Sequence, residues 1–246
     1  MNWPIINRYN QRKEINDYVL MISQISCNEL SKRLCIQPPL GIKPINLYYN
    51  PDVPITYWPL NPNEYNIGLH VDGIYPHQII YQISHELCHI YIDPRINGPF
   101  IEIMCQKTAI DLLEDIGAPF TSQGSVAVDN YILEIKEKVE KNKGIIVSDL
   151  NPNTILNIVQ KLEENQNLYD RDTNDLIAFK LKEIIDPIDK YGLIKYIKNS
   201  IYPPPPLSIY DLTTNDKTKI NLDLLISNIS QFNKTLADTL NSLNKC

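Results

Sequence analysis

The chain of 246 residues has no apolar run near the ~18–20 residues a membrane helix needs, so no spanning helix is expected. It also has no basic run. Lys and Arg number 23 against 29 Asp and Glu, a net charge of −6, which argues against a nucleic-acid or anionic-membrane surface. The opening residues, MNWPIINRYNQRKEIN, lack an apolar signal core with a small-residue cleavage site. Disulfide spacing is missing too. The five cysteines, Cys27, Cys35, Cys88, Cys105 and Cys246, are odd in number and contain no C-x-x-C pair. Together these absences imply reduced thiols and a cytoplasmic location. Internal repeats and a clear linker are likewise absent.

Histidine is scarce, with only four in the chain, and two of them stand in one pattern: His85-Glu86-Leu87-Cys88-His89. A pattern of this form arises by chance in well under ~1% of such chains. The flanking sequence predicts a helix. Pro76 suits a first turn, Ile79, Ile80, Ile83, Leu87 and Ile90 recur at spacings of three and four, and Asp93-Pro94 ends the run. On a helix the two imidazoles lie one turn apart on one face, about 6 Å along the axis. From there both reach one Zn²⁺, and Glu86 handles a proton.

The remaining pattern predicts an α+β protein. A helix is expected over 11–36, ended by Pro38-Pro39. Short strands at 45–49, 55–58 and 65–71 predict a small mixed or antiparallel sheet. Helices follow over 100–116, 126–142, 153–167, 174–199 with an interruption at Asp186-Pro187, and 221–244. Residues 201–206 read as an extended strap, Pro203 to Pro206 being polyproline-like. Two parts are expected, a catalytic part at 1–120 and a helical part at 121–246 with the strap at 202–206.

A catalytic zinc takes three protein ligands and leaves a position open. His77 is two turns from His85 on the same helix and is rejected. His70 reads as an ordinary strand residue, and Asp93 as a turn residue. Glu102 lies thirteen residues after His89, near the start of the next helix, where two packed helices bring it to the imidazoles. The competing role for Glu102 is a first-turn acid favouring its helix N-terminus. Gln106, one turn further on, is placed to hold a ligand imidazole by its other ring nitrogen. Cys88 and Cys105 read as small core residues.

Over about 65–117, His85-Glu86-Leu87-Cys88-His89 with a downstream helical Glu102 resembles the gluzincin branch of zinc metallopeptidases, the thermolysin-like arrangement. Ile92 and Arg95 stand where the metzincin pattern has Gly and a third His, which excludes that branch. The resemblance implies a zincin-like fold with an edge strand beside the metal helix, for which 65–71 is the candidate. It implies Zn²⁺, hydrolysis of a peptide or protein substrate by a zinc-activated water, and Glu86 as the base that passes the proton to the leaving amine. Members often carry Asp where Gln106 stands. They also take a His or Tyr from the second half to stabilise the oxyanion. No His follows His89, so Tyr131, Tyr169, Tyr191, Tyr196, Tyr202 and Tyr210 are the candidates, with Tyr191 preferred. The alternative function is a non-catalytic or single-partner regulatory protein on the same scaffold.

Overall fold

The computed structural model of the chain describes residues 3–56, 63–96, 98–151, 155, 158–159, 161–162, 165, 170–197, 200–202, 219–220, 225, 227–228, 230–231 and 234–244. The protein is α+β. A four-stranded sheet is built from β1 (Ile5–Asn7), β2 (Ile45–Tyr49), β3 (Ile55–Thr56) and β4 (Tyr65–Leu69), in the order β1-β2-β4-β3. Helix α1 (Lys13–Leu34) links β1 to β2, and α2 (Pro76–Ile92) follows the sheet. Next come α3 (Pro99–Ile116), α4 (Ser125–Lys143), α5 (Arg171–Asp189) and α6 (Gly192–Ile197). A two-stranded pair of β5 (Ile201–Tyr202) and β6 (Lys219–Ile220) precedes α7 (Lys234–Asn244).

The sheet is mixed. β1, β2 and β4 run parallel, with Ile5 opposite Ile45 and Ile45 opposite Tyr65, and only β3 is antiparallel. Strand β1 escapes periodicity because three residues carry too little pattern. It exists because it pairs with β2. The segment 65–71 is not an edge: β4 lies between β2 and β3, and β3 is the edge strand. Burial on both faces explains the parallel pairing. Ile45, Asn46 and Leu47 are all fully buried, and Asn46 is satisfied by donating to Asn66 Oδ1 at 3.1 Å and accepting from Arg8 Nε at 3.3 Å.

Helix α2 is the centre of the fold. It packs on α1, on α3 and on β4, so it is apolar around most of its circumference. Pro76 occupies its first turn, where a missing N–H costs nothing, and the Asp93 N–H closes it on His89 O at 3.0 Å. Helix α3 begins on Pro99 and ends at Gly117. Helix α5 runs through Pro187 without interruption. The proline falls in the last turn, three residues before Lys190. The helix expected at 153–167 and the run Pro203 to Pro206 lie largely outside the described residues. Of the helix expected at 221–244, α7 forms the C-terminal part.

Residues on both sides of position 120 share one apolar cluster, which runs from Trp3 through Leu87, Ile103 and Ile177 to Leu240. Among the described residues no helix is long and apolar enough to cross a membrane.

Candidate metal centre

Three helices carry the residues of interest, each in a row of residues one turn apart. Helix α2 carries Tyr81, His85 and His89 in one row, α3 carries Glu102 and Gln106, and α5 carries Arg171 and Asp175. The rows meet because α2 packs on α3 and α3 packs on α5. Between α2 and α3 the chain reverses at Asp93 to Gly98. Asp93 is spent on that reversal. It accepts from the Arg95 backbone N–H at 3.0 Å and pairs with the Arg95 guanidinium at 2.6 Å, so it is no ligand.

The donor atoms converge. His89 Nε2 lies 3.2 Å from His85 Nε2, His85 Nε2 lies 3.4 Å from Glu102 Oε2, and His89 Nε2 lies 3.4 Å from Glu102 Oε1. A tetrahedral ion with bonds of about 2.0–2.1 Å has ligand atoms about 3.3–3.4 Å apart along each edge. Each imidazole meets a different oxygen of Glu102 at a separation close to that edge length, so the carboxylate spans the two histidines. Cys105 is a second possibility, since its sulfur and one ring nitrogen of each histidine all lie within 4.8 Å of one another. That bound is loose against the same edge length, so Glu102 fits better. Both imidazoles are 13% exposed and Glu102 21%, which leaves the centre open on one side.

Charge at the centre is interlocked. Burial works to raise the Glu102 pKa, but the charges of His89 and His85, with the hydrogen bond from His85, hold it down at about 2. Burial works to lower the His85 pKa, and the hydrogen bond to Glu102 with the charge of Glu86 lifts it to about 9. His89 goes the other way. Burial depresses it below its ordinary value and the neighbouring His85 adds to that, against the pull of Glu102. At neutral pH the metal-free centre is therefore a Glu102 carboxylate, a protonated His85 and a neutral His89.

Glu86 is buried, at 4% exposure, and edge strand β3 holds it. The Thr56 hydroxyl donates to Glu86 Oε2 at 2.9 Å. Thr56 sits on β3 because that strand pairs with β4 through Thr56 opposite Ile67. Sequence reasoning misses this contact: thirty residues separate Thr56 from Glu86, and only sheet pairing joins them.

Two expectations do not survive. Gln106 does not hold a ligand imidazole. Its Oε1 accepts from the Tyr81 hydroxyl at 2.5 Å, because Tyr81 lies one turn before His85 on α2 and reaches the amide first. Tyr191 is not at the site. It donates to Asp115 Oδ2 at 2.8 Å, near the C-terminal end of α3. Asp115 follows Glu102 by thirteen residues, about 20 Å along the helix. Of the other tyrosines, Tyr131 packs on His77 with ring centroids 4.4 Å apart, and Tyr196 packs against the core. Tyr169 and Tyr210 lie outside the described residues. His70 is exposed on its strand end, its Nδ1 at 3.0 Å from Asn50 O. Cys88 and Cys105 are fully buried, as expected of small core residues, and the Cys88 thiol donates to Thr108 Oγ1 at 3.4 Å.

The second half contributes what the sequence left unassigned. Burial pushes the Asp175 pKa up to about 7 against the pull of the His85 and Arg171 charges. Arg171 is exposed at the start of α5, and its charge acts on Glu102 and Asp175. Asp170 caps the start of α5 by accepting from the Thr173 N–H at 3.2 Å, which begins the helix three residues before the expected 174. Comparison with known proteins adds no relative: no family model, curated protein or solved structure matches the chain.

Proposed function

We propose that this protein is a zinc-dependent peptidase of the gluzincin type, acting inside the cell on a peptide or protein substrate. The observation that supports the reading is the meeting of His85 Nε2 with His89 Nε2 at 3.2 Å and of each with a Glu102 carboxylate oxygen at 3.4 Å. His85, His89 and Glu102 would hold the ion, whose contribution when bound is an acidified water and a Lewis acid for a carbonyl oxygen.

The chain's own residues do the rest. Glu86 stands close enough for its charge to act on both imidazoles. With one carboxylate oxygen held by Thr56, the other takes a proton and later gives it to the leaving amine. Strand β3 is the outer strand of the sheet, so an extended substrate can add to it beside Glu86. This moves the docking edge from 65–71 to 55–56. Arg171 takes the oxyanion role first assigned to Tyr191, as the exposed cation whose field reaches Glu102.

The test pairs metal content with hydrolysis. Purified protein should hold about one zinc per chain by elemental analysis. Glu86→Gln should keep that zinc and lose about 10²–10⁴ in rate on a quenched peptide library. A chain that takes up no zinc sinks the centre. A zinc-loaded wild type that cleaves nothing, or a Glu86→Gln variant as fast as wild type, leaves the centre standing and removes the peptidase.

A further inference from the structure

Glu102 and Cys105 stand three residues apart in the first two turns of α3, so one face of that helix offers the α2 imidazoles two donors of opposite character. Glu102 is a hard carboxylate, 21% exposed, and gives a different oxygen to each histidine at 3.4 Å. Cys105 is a soft sulfur and fully buried. Its Sγ and one ring nitrogen of each histidine all lie within 4.8 Å of one another. Two donor triangles therefore share the same two imidazoles.

The triangles suit different ions. A tetrahedral zinc sets its donors about 3.3–3.4 Å apart, which the carboxylate oxygens already match. A three-coordinate, trigonal ion spreads its donors wider, to about 3.5–4.0 Å for bonds of about 2.0–2.3 Å. The sulfur triangle has less distance to close around a trigonal ion than around a tetrahedral one. Thiolate sulfur also selects soft cations over hard ones. Charge agrees, since Cu⁺ with one thiolate and two neutral imidazoles carries no net charge, and a neutral group is far cheaper to bury than an ion. The other buried thiol nearby is engaged elsewhere. Cys88 donates to Thr108 Oγ1 at 3.4 Å, and the Thr108 hydroxyl donates to Met104 O at 2.7 Å.

We propose that His85, His89 and Cys105 form a second metal site within the centre, a trigonal seat for the soft cation Cu⁺. On binding, the thiol S–H bond breaks, the sulfur bonds to the ion and the proton leaves to solvent, with no change of oxidation state. Glu102 stays outside that shell. Because the imidazoles are shared, Cu⁺ and Zn²⁺ exclude one another, and hydrolysis would stop while Cu⁺ is seated. That last consequence rests on the peptidase reading, whereas Cu⁺ binding does not.

The experiment titrates the metal-free full chain, reduced and under anaerobic conditions, with Cu⁺ and separately with Zn²⁺, each against a chromophoric chelator. Wild type should take up about one tight Cu⁺ per chain and lose it from this seat when zinc is in large excess. Cys105→Ser should weaken Cu⁺ binding by more than the ~10–100-fold that loss of an outer-shell partner costs, while zinc affinity stays within about threefold. Glu102→Gln should do the reverse. Cys88→Ser and Cys35→Ser should leave Cu⁺ bound. X-ray absorption of Cu⁺-loaded wild type needs no variant and should show one sulfur with two imidazole nitrogens. A shell without sulfur, or Cys105→Ser binding Cu⁺ as tightly as wild type, overturns the second site. A wild type that takes zinc but no Cu⁺ also overturns it and leaves the zinc centre standing. Uptake of Cu⁺ but no zinc does the opposite, and uptake of neither refutes both.

Discussion

Glu102 and His85 form a proton-holding pair that a metal must break. Glu102 is anionic at any pH above about 2, and His85 keeps its proton up to about 9, each stabilised by the other once burial is offset. Zinc needs a neutral His85 Nε2. Below pH 9 binding therefore expels one proton, and apparent zinc affinity should rise about tenfold per pH unit toward 9 and then flatten. Calorimetry in buffers of different ionisation enthalpy should count one proton released at pH 7.5. The metal-free protein carries the complementary signature. His85 is raised above its unfolded value, so its stabilising share is full below about 6.5 and is lost as pH climbs through 9. Glu102 is depressed, so its share is full above about 4.3 and is lost as pH falls through 2. Glu102→Gln should abolish the alkaline loss, as seen by urea unfolding between pH 6.5 and 9. A slope that persists in that variant would place the titrating group elsewhere.

Helix α3 carries Glu102 in its first turn and is anchored further along by Lys107. That ammonium is 1% exposed and holds Asp111 Oδ2 at 2.6 Å, Asp186 Oδ1 at 2.5 Å and the Lys190 carbonyl at 2.8 Å. Asp186 and Lys190 belong to α5 and its end, so the contact fixes α3 against α5. Burial drives the Asp111 pKa up to about 6 even with Lys107 and Lys182 pulling it down. Removing the ammonium leaves carboxylates in a dry place. Lys107→Ala should destabilise by about 3–5 kcal/mol in urea unfolding, toward the lower figure because Lys182 still contacts Asp111 at 3.1 Å and Asp186 at 2.5 Å. A loss under about 1 kcal/mol would mean the network is solvated and does not anchor the helix.

At the scale of the whole molecule the centre is assembled across the chain. Thr56 comes from the sheet edge, His85, Glu86 and His89 from α2 and Glu102 from α3, with the charge of Arg171 on α5 acting on Glu102. The apolar cluster is continuous across these elements, with Ile103, Leu112 and Leu113 of α3 sharing it with Ile177, Leu181 and Ile185 of α5. A chain ending at residue 150 would expose that face of α3, the helix that carries Glu102. It should show no cooperative thermal transition and no wild-type zinc affinity. A cooperative melt with unchanged affinity would show the first 150 residues to be self-sufficient.

The helix that carries His85, Glu86 and His89 was readable from the chain alone, and so was the place of Glu102 near the start of the next. His85, Glu86 and His89 lie within five residues, and helical geometry converts that spacing into a shared face whatever surrounds it. Pro76, Asp93-Pro94 and Pro99 mark boundaries through their own backbone sterics, which are equally local. Tertiary structure alone decided everything that joins distant segments. It put β4 inside the sheet and β3 at its edge, brought Thr56 to Glu86, sent Tyr191 to Asp115 and gave Gln106 to Tyr81. None of these has a sequence period, because each depends on which face of one element packs on another. That choice comes from burying the whole apolar cluster at once, a property no local window contains.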